Sequence, residues 1–289
     1  MKITSLLFGI FSGCISLPLA CAADYTWNGG NASWTDSGAW LLDGNAADWV
    51  NGSNALFQTG STLAVGSGIS ASGLLYEGVA VTLNGGSLTL TGNASGSNGG
   101  SATLSGTALT LNAADAEDAW TVRDTSLSGS STLTKTGNGT VTLSGTHTAN
   151  GTWNINEGTL VFTGTRDITG GGQINIASGA VLDTSEGRLF HAANYASNWE
   201  QPTITLNGGT LKLNQFGYNS ASLGCLQNNF YALKFSSGTT SRVVISQGYE
   251  SGGTGSRGIY IAGWGTTAVI ELGANQTFTW SSSNGQNFD

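Results

Sequence analysis

The chain has 289 residues, of which 45 are Gly, 2 are Pro and only 9% carry charge. Its 9 Trp, 10 Phe and 7 Tyr argue against a disordered chain, because disordered chains lack the apolar residues that build a core. A formal charge of −8, with the basic residues scattered singly, argues against a nucleic-acid partner, which requires clustered Lys and Arg.

The first 23 residues have the pattern of a secretory signal peptide. Lys2 precedes an apolar run over residues 3–19, and small residues follow it at 20–23. Cleavage after Ala22 or Ala23 predicts a mature chain that begins near Asp24. Lipidation at Cys21 is the alternative. Beyond this segment no apolar stretch approaches the roughly 20 residues of a membrane-spanning helix, so we expect a secreted or surface-associated protein.

Cysteine and histidine are too scarce for a disulfide framework or a metal centre. Once the signal is removed, Cys225 stands alone, so no intrachain disulfide is expected. The two histidines, His147 and His191, do not lie in ligand-spaced clusters. We therefore expect no structural metal. The Gly-rich runs also lack the Lys and helix of a phosphate loop, so no cofactor is expected.

From Asn51 onward, short runs of alternating apolar residues are separated by Gly with Asn or Ser, which is typical of strands joined by turns. The run VTLNGGSLTL at 81–90 returns as ITLNGGTLKL at 204–213, with most positions identical. Residues 112–120 are the one helix candidate, but this segment is too short to stand alone. We expect a loop or a single turn there.

Apolar strand positions recur at spacings of roughly 19–24 residues, a length that suits one coil of a solenoid. These positions are Leu88, Leu109, Leu133, Val141, Leu160, Val181 and Ile204. The pattern predicts an all-β fold, a parallel β-solenoid (β-helix-like) with inward apolar ladders and Gly at the corners. A β-sandwich is the alternative.

Residues 133–160 carry a motif of a known family. The stretch LTKTGNGTVTLSG at 133–145 is followed by GT at 151–152 and INEGTL at 155–160. It resembles the autotransporter-associated β-strand repeat, with its L-x-K-x-G-x-G-T-L-x-L-x-G opening and G-x-T-x-I-x-x-G-T-L close. Residues 146–149 depart from the Asn-Thr-Tyr-like turn of that family. The resemblance implies a secreted bacterial passenger or adhesin-like protein, in which the repeats form a scaffold.

The N-terminal segment resembles the Trp-rich cap that often precedes such repeats. It contains YTWNGG at 25–30, Trp34, Trp40 and ALF at 55–57. We therefore expect a signal peptide over 1–23, a Trp-rich N-terminal cap over 24–60 and a β-strand repeat domain over 61–289. No membrane-barrel domain follows the repeats in this sequence, so self-export is not expected.

Two short acidic motifs, DSG at 36–38 and VLDTS at 181–185, resemble the Asp-Thr/Ser-Gly signatures of pepsin-type proteases. Those enzymes bring two carboxylates together so that they share one proton. Asp36 and Asp183 are thus catalytic candidates if the protein is a secreted aspartic-type endopeptidase. Ser185 stands where the protease signature has Gly, and a continuous solenoid predicts that the two Asp residues lie several coils apart.

Acidic side chains also raise the possibility of a glycan-cleaving hydrolase, because general acid–base cleavage of a glycosidic bond requires two carboxylates. The candidates are Asp115, Glu117, Asp118 and Asp124. A solvated acidic loop is the alternative interpretation and the one we prefer.

Aromatic side chains support a third hypothesis, binding without chemistry, in which rings stack on sugars. The candidate ligand-binding residues are Trp153, Trp199, Tyr249, Tyr260 and Trp264, with Tyr218 and Tyr231 as further candidates. The alternative for each is a ring that caps or fills the solenoid. The leading hypothesis is adhesion to an extracellular glycan or glycoprotein such as mucin. The sequence does not predict an oligomeric state.

Overall fold

The computed structural model describes residues 22–30, 32–166, 172–187, 189, 203–213, 215–216, 225–226, 230–245, 258–262 and 267–272. All regular elements within these ranges are β-strands. In chain order they are β1 (Asp24–Trp27), β2 (Trp40–Leu42), β3 (Asn45–Ala47), β4 (Ser53–Phe57), β5 (Ser61–Ala64), β6 (Ile69–Glu77), β7 (Ala80–Asn84), β8 (Ser87–Leu90), β9 (Ala94–Ser97), β10 (Ser101–Ser105), β11 (Ala108–Asn112), β12 (Ala119–Val122), β13 (Thr125–Ser128), β14 (Thr132–Thr136), β15 (Thr140–Leu143), β16 (Thr146–His147), β17 (Trp153–Ile155), β18 (Thr159–Phe162), β19 (Thr165–Arg166), β20 (Gln173–Ala177), β21 (Val181–Asp183), β22 (Thr203–Asn207), β23 (Thr210–Leu213), β24 (Gln215–Phe216), β25 (Cys225–Leu226), β26 (Phe230–Phe235), β27 (Thr240–Ile245), β28 (Gly258–Ala262) and β29 (Thr267–Leu272).

Apart from β2 and β3, which pair in antiparallel fashion near the N-terminus, the strands pair in parallel, and most of them form a β-solenoid with three sides. Face A contains the first half of β6 and then β8, β11, β14, β17, β20, β22, β26 and β28. Face B contains β1, β4, the second half of β6, β9, β12, β15, β18, β21, β23, β27 and β29. Face C contains β5, β7, β10 and β13, followed by β16 and β19. The solenoid prediction is confirmed.

Alternation of apolar and polar residues decides which side chains face inward. In β20, for example, Ile174 and Ile176 are buried while the residues between and beside them are not. Because parallel strands are held in register, equivalent positions form a continuous ladder through the interior. The main ladder of face A is Ile69, Leu88, Leu109, Leu133, Trp153, Ile174, Ile204 and Leu233.

The observed ladders refine the predicted spacing. Leu88, Leu109 and Leu133 lie on face A, whereas Val141 and Leu160 belong to face B. The two sets mix in the sequence because one coil contributes an inward residue to each face. The inward residue of β21 is Leu182, and the predicted position Val181 is one residue out of phase and only half-buried.

The recurring ten-residue run occupies different sides of the solenoid in its two copies. Residues 81–90 form β7 on face C and β8 on face A, whereas residues 204–213 lie in β22 on face A and β23 on face B. The run therefore encodes a strand, a Gly-Gly corner and a second strand, without specifying which faces they join.

Glycine permits the closest corner contacts. Gly137 has a φ of 73°, and a Cβ placed on it would lie 2.0 Å from the Ala113 carbonyl oxygen of the preceding coil. Only a residue without a side chain fits this close backbone approach. The helix candidate is a corner as well, because residues 113–118 form the turn between β11 and β12.

A Trp-rich aromatic cluster closes the N-terminal end, as the sequence predicts. Strands β1, β2 and β3 form an antiparallel meander, and β1 then pairs in parallel with β4. The rings of the aromatic cluster pack at centroid distances of 4.7–6.2 Å. They belong to Tyr25, Trp27, Trp34, Trp40, Trp49 and Phe57. The cluster covers the apolar interior of the first coil, which would otherwise face solvent.

Candidate functional site

Three basic side chains lie inside the solenoid between β14 and β19. Lys135, His147 and Arg166 each have 0% exposure. Basic side chains are rarely buried completely unless hydrogen bonds or other partners compensate for the lost water. These three therefore mark the most unusual chemistry of the described coils.

Lys135 occupies a position that is otherwise apolar. Its register partners on face A are Leu111 in β11 and Ile155 in β17. The Nζ atom donates hydrogen bonds to three backbone carbonyls, those of Thr136 at 2.8 Å, Gly137 at 2.7 Å and Glu157 at 3.3 Å. The ammonium thus ties the corner after β14 to the corner after β17 in the next coil.

Glu157 completes this corner from the solvent side. Its carboxylate accepts a hydrogen bond from the Gly137 backbone N–H at 2.8 Å. Burial lowers the pKa of Lys135 from its ordinary value, while the carboxylates of Glu157 and Asp118 oppose the shift by stabilising the charged form. In this corner the ammonium of Lys135 therefore binds backbone carbonyls, and the carboxylate of Glu157 binds a backbone N–H.

His147 and Arg166 enclose the interior on face C. The Cα atoms of the two residues are register partners in β16 and β19. The guanidinium of Arg166 stacks on Trp153, with Cζ 4.5 Å from the ring centroid, and donates a hydrogen bond to the Gly151 carbonyl at 2.8 Å. The His147 ring meets Trp153 edge-on at 5.8 Å and Phe162 at 5.7 Å.

One hydrogen bond sets the tautomer of His147, and burial keeps its ring neutral. Nδ1 accepts from the Leu127 backbone N–H at 3.2 Å, which assigns the proton of the neutral ring to Nε2. Nε2 makes no well-formed hydrogen bond. The Ser144 backbone favours the charged form of the ring and so raises its pKa, but this effect is smaller than that of burial. Burial lowers the pKa of His147 to about 4, and the nearby Arg166 charge contributes to the shift. His147 is therefore neutral at pH 7.

The interior basic residues hold the coils together and do not face a ligand. All three side chains are enclosed by strands, so no external substrate reaches them. Sequence reasoning treated Lys135 only as part of the repeat motif and passed over His147 and Arg166 as site residues. The signal that identifies Lys135 is its place in the alternation, where its partners in the neighbouring coils are aliphatic.

Asp36 and Asp183 are not brought together. Asp36 lies in the cap, where its carboxylate accepts from the Ser33 backbone N–H at 2.8 Å. Asp183 ends β21, which follows β1 by seven strand pairings on face B. At a strand spacing of about 4.8 Å these two strands are roughly 34 Å apart along the solenoid axis. A shared proton requires near contact, so these two residues cannot form the predicted dyad within one chain.

Asp183 has local partners instead. Its Oδ1 accepts hydrogen bonds from the Ser185 backbone N–H at 3.1 Å and the Ser185 hydroxyl at 2.7 Å. Its Oδ2 lies 3.5 Å from the Lys212 Nζ of the next coil. These contacts secure the end of the strand.

The four acidic candidates for glycan cleavage occupy two different corners. Asp115, Glu117 and Asp118 lie between β11 and β12, where the Asp118 carboxylate accepts from the Asp115 backbone N–H at 3.1 Å. Asp124 follows β12 and accepts from the Gly96 N–H at 3.0 Å. The intervening strand β12 spans about 13 Å, more than the carboxyl separation of either class of glycosidase. The structure therefore supports local turn roles for Asp118 and Asp124.

Trp153 is not the exposed aromatic platform that the sequence suggested. Its side chain has 0% exposure and packs between His147, Phe162 and Arg166. Trp153 is buried because it occupies an inward position on β17, where the neighbouring strands of the face A ladder have leucine or isoleucine. Trp199, Tyr249 and Trp264 lie outside the described residues, and the side chains of Tyr260 and Tyr231 are outside them as well.

Hydroxyl and amide side chains cover the outer surface of face A. The outward positions Thr89, Thr110, Thr134, Asn154, Asn175 and Thr205 are register partners in six successive strands. We call this row the face A column. Among the described residues, Val50 is the exposed large hydrophobic side chain. The described surface therefore offers mainly hydrogen-bonding groups, and the face A column is a regular row of them.

Within the described ranges no three His, Cys, Asp or Glu side chains converge as metal ligands do. The part of the chain that the structure covers also has no helix with the length and apolarity needed to cross a membrane.

One segment of the chain matches a known family of repeats. Residues 133–162 match the model of the passenger-associated-transport-repeat. The match begins at the inward Leu133, includes Lys135 and Trp153, and ends at Phe162. The chain matches no curated protein and no solved structure. A passenger-associated repeat within a β-solenoid is typical of secreted or surface-exposed bacterial proteins, and this chain fits that class.

Proposed function

We propose that this passenger-type protein acts outside the cell as an adhesive solenoid that binds glycans or glycoproteins such as mucin. The passenger-associated repeat and the parallel β-solenoid support the extracellular setting. The proposal includes a secretory signal over residues 1–23, whose removal leaves a chain that begins at Asp24. Sequencing the N-terminus of the secreted protein tests that step.

The polar face A column is the observation that carries the adhesive role. It presents hydroxyl and amide groups on six strands that are fixed by backbone ladders on both sides. A rigid scaffold lowers the entropic cost of binding, since the groups are already aligned. Sugar hydroxyls both donate and accept, and they pair with Thr hydroxyls and Asn amides.

Retention on immobilised mucin tests the proposal. The purified chain should be retained on mucin and should pass through a column of the same mucin from which the glycans have been removed. A folded chain, verified by circular dichroism, that is retained on neither mucin nor any of a panel of immobilised polysaccharides would contradict the adhesive role.

A further inference from the structure

The face A column is uncharged over its full length. Its six residues from Thr89 to Thr205 are Thr or Asn, and Ser70 extends it on β6. The first charged residue in the same row is Lys234 on β26, the register partner of Thr205. The corresponding outward row of face B is different, because it includes Asp183 and Lys212.

The polar groups of the column are available to a ligand. Asn175 donates from its Nδ2 to the Asn154 Oδ1 at 2.9 Å, so these two amides form a short ladder. The hydroxyls of Thr89, Thr110 and Thr134 make no hydrogen bond to another group of the described residues. All of these side chains are half-buried, so each of them keeps part of its surface exposed.

We infer that the face A column binds a neutral, linear polysaccharide whose chain runs along the solenoid axis, across the strands. This inference rests on the proposed glycan-binding function and specifies its ligand. The charge balance favours a neutral chain, because the protein carries −8 overall and repels polyanions, while the column itself has no cation to attract them. Hydroxyl and amide groups pair with sugar hydroxyls without the desolvation of a charge.

The direction of the bound chain follows from the dimensions of the surface. From Ser70 on β6 to Thr205 on β22 the row crosses seven strands, which at about 4.8 Å per strand is roughly 29 Å. Along the strands, face A is at most five residues long in this region, or about 17 Å. A polysaccharide that lies along the axis thus meets one regularly spaced polar group in each coil.

Two matched variants test this placement. Thr110→Val/Thr134→Val removes two hydroxyls from the face A column with little change of shape. Thr121→Val/Thr142→Val makes the same change in register partners on the outer side of face B. We expect the face A variant to bind xylan and cello-oligosaccharides about tenfold more weakly, while the face B variant binds like the parent. Affinity for cello-oligosaccharides should rise with length from two to six sugars.

Other outcomes overturn the inference. Equal loss in both variants, or affinity that stops rising at two or three sugars, would place the ligand elsewhere or along the strands. Tighter binding to polygalacturonate than to xylan would contradict a neutral ligand. A concentration-dependent dimer that the face A variant abolishes, without polysaccharide binding, would make a second copy the occupant. Retention on mucin without binding to neutral polysaccharides would refute this inference and leave the proposed function standing.

Discussion

His147 and Arg166 stand opposite each other in the neighbouring parallel strands β16 and β19, and both side chains point into the interior of the solenoid. Two basic groups are thus stacked where an all-β core otherwise places apolar residues. The arrangement holds because the histidine is neutral and the guanidinium is covered by Trp153. The stability of these coils should therefore depend on the protonation state of His147.

We expect acid to destabilise the parent protein more than a His147→Gln variant. The folded-state pKa of about 4 lies below the ordinary value near 6.5, so the unfolded chain binds the proton first as the pH falls. The stability that depends on a neutral His147 is fully present above about pH 6.5 and decreases as the pH falls. By about pH 4 the loss in the free energy of unfolding is roughly 3 kcal/mol. Urea unfolding followed by circular dichroism at a series of pH values measures it.

Comparing the parent with the variant removes the effect of the carboxylates, which titrate in both proteins. Gln is chosen because its side-chain oxygen can still accept from the Leu127 N–H. Parallel stability curves between pH 7 and pH 4 would show that His147 is not the group responsible.

Lys135→Met should lower the stability of the protein although methionine is apolar and the ladder around it is aliphatic. The substitution leaves the carbonyls of Thr136, Gly137 and Glu157 without the ammonium donor. We expect a loss of about 2 kcal/mol in the free energy of unfolding. Lys234→Met is the matched control, because Lys234 is exposed, and its effect should stay within about 0.5 kcal/mol. A Lys135→Met protein as stable as the parent would mean that desolvation of the ammonium outweighs its hydrogen bonds.

Two glycine corners should respond differently to the same substitution. Gly85 and Gly137 both have a positive φ, but a Cβ at Gly85 would meet open space, whereas one at Gly137 would clash with the Ala113 carbonyl. Gly85→Ala should therefore cost about 1 kcal/mol from the backbone conformation alone. Gly137→Ala should cost more than about 3 kcal/mol, since the neighbouring backbone must move. Equal thermal midpoints for the two variants would contradict the close approach of the coils.

The separation of Asp36 and Asp183 predicts the result of a cleavage assay. Substituting both residues with Asn should leave the release of peptides from denatured casein at the level of the parent protein, whatever that level is. The physical reason is that carboxylates separated by about seven strand spacings, or roughly 34 Å along the axis, cannot share a proton. Cleavage by the parent that disappears in the double variant would refute this prediction.

Local alternation and turn chemistry make much of the fold predictable. Strands, Gly corners and a coil length near 20 residues follow from residues such as Leu88, Leu109 and Leu133, because the period of two and the spacing are both visible in one sequence. Which face a strand joins is not visible. The two copies of the ten-residue run show this. Their sequences are nearly the same, yet one copy forms the corner between faces C and A and the other the corner between faces A and B.

The candidate site was harder to predict, because burial depends on the neighbouring coil. Trp153 has the flat aromatic ring on which a sugar can stack. Its register partners, however, are the inward residues Leu133 and Ile174, so the ring lies in the core. The face A column was also missed, since Thr and Asn are common throughout this sequence and only the register aligns six of them. Lys135 would have been recognisable as an inward residue from the alternation of β14 alone.

The stacking of one coil on the next determines how the molecule would respond to a pulling force. The hydrogen bonds between strands point along the solenoid axis, and each coil is held mainly by its two neighbours. Tension between the two ends would load the bonds of a terminal coil first and peel coils off in sequence. Each coil of about 20 residues would release roughly 70 Å of extended chain. A tether built in this way lengthens in steps and dissipates work at each one, while the coils that are still folded keep their surface.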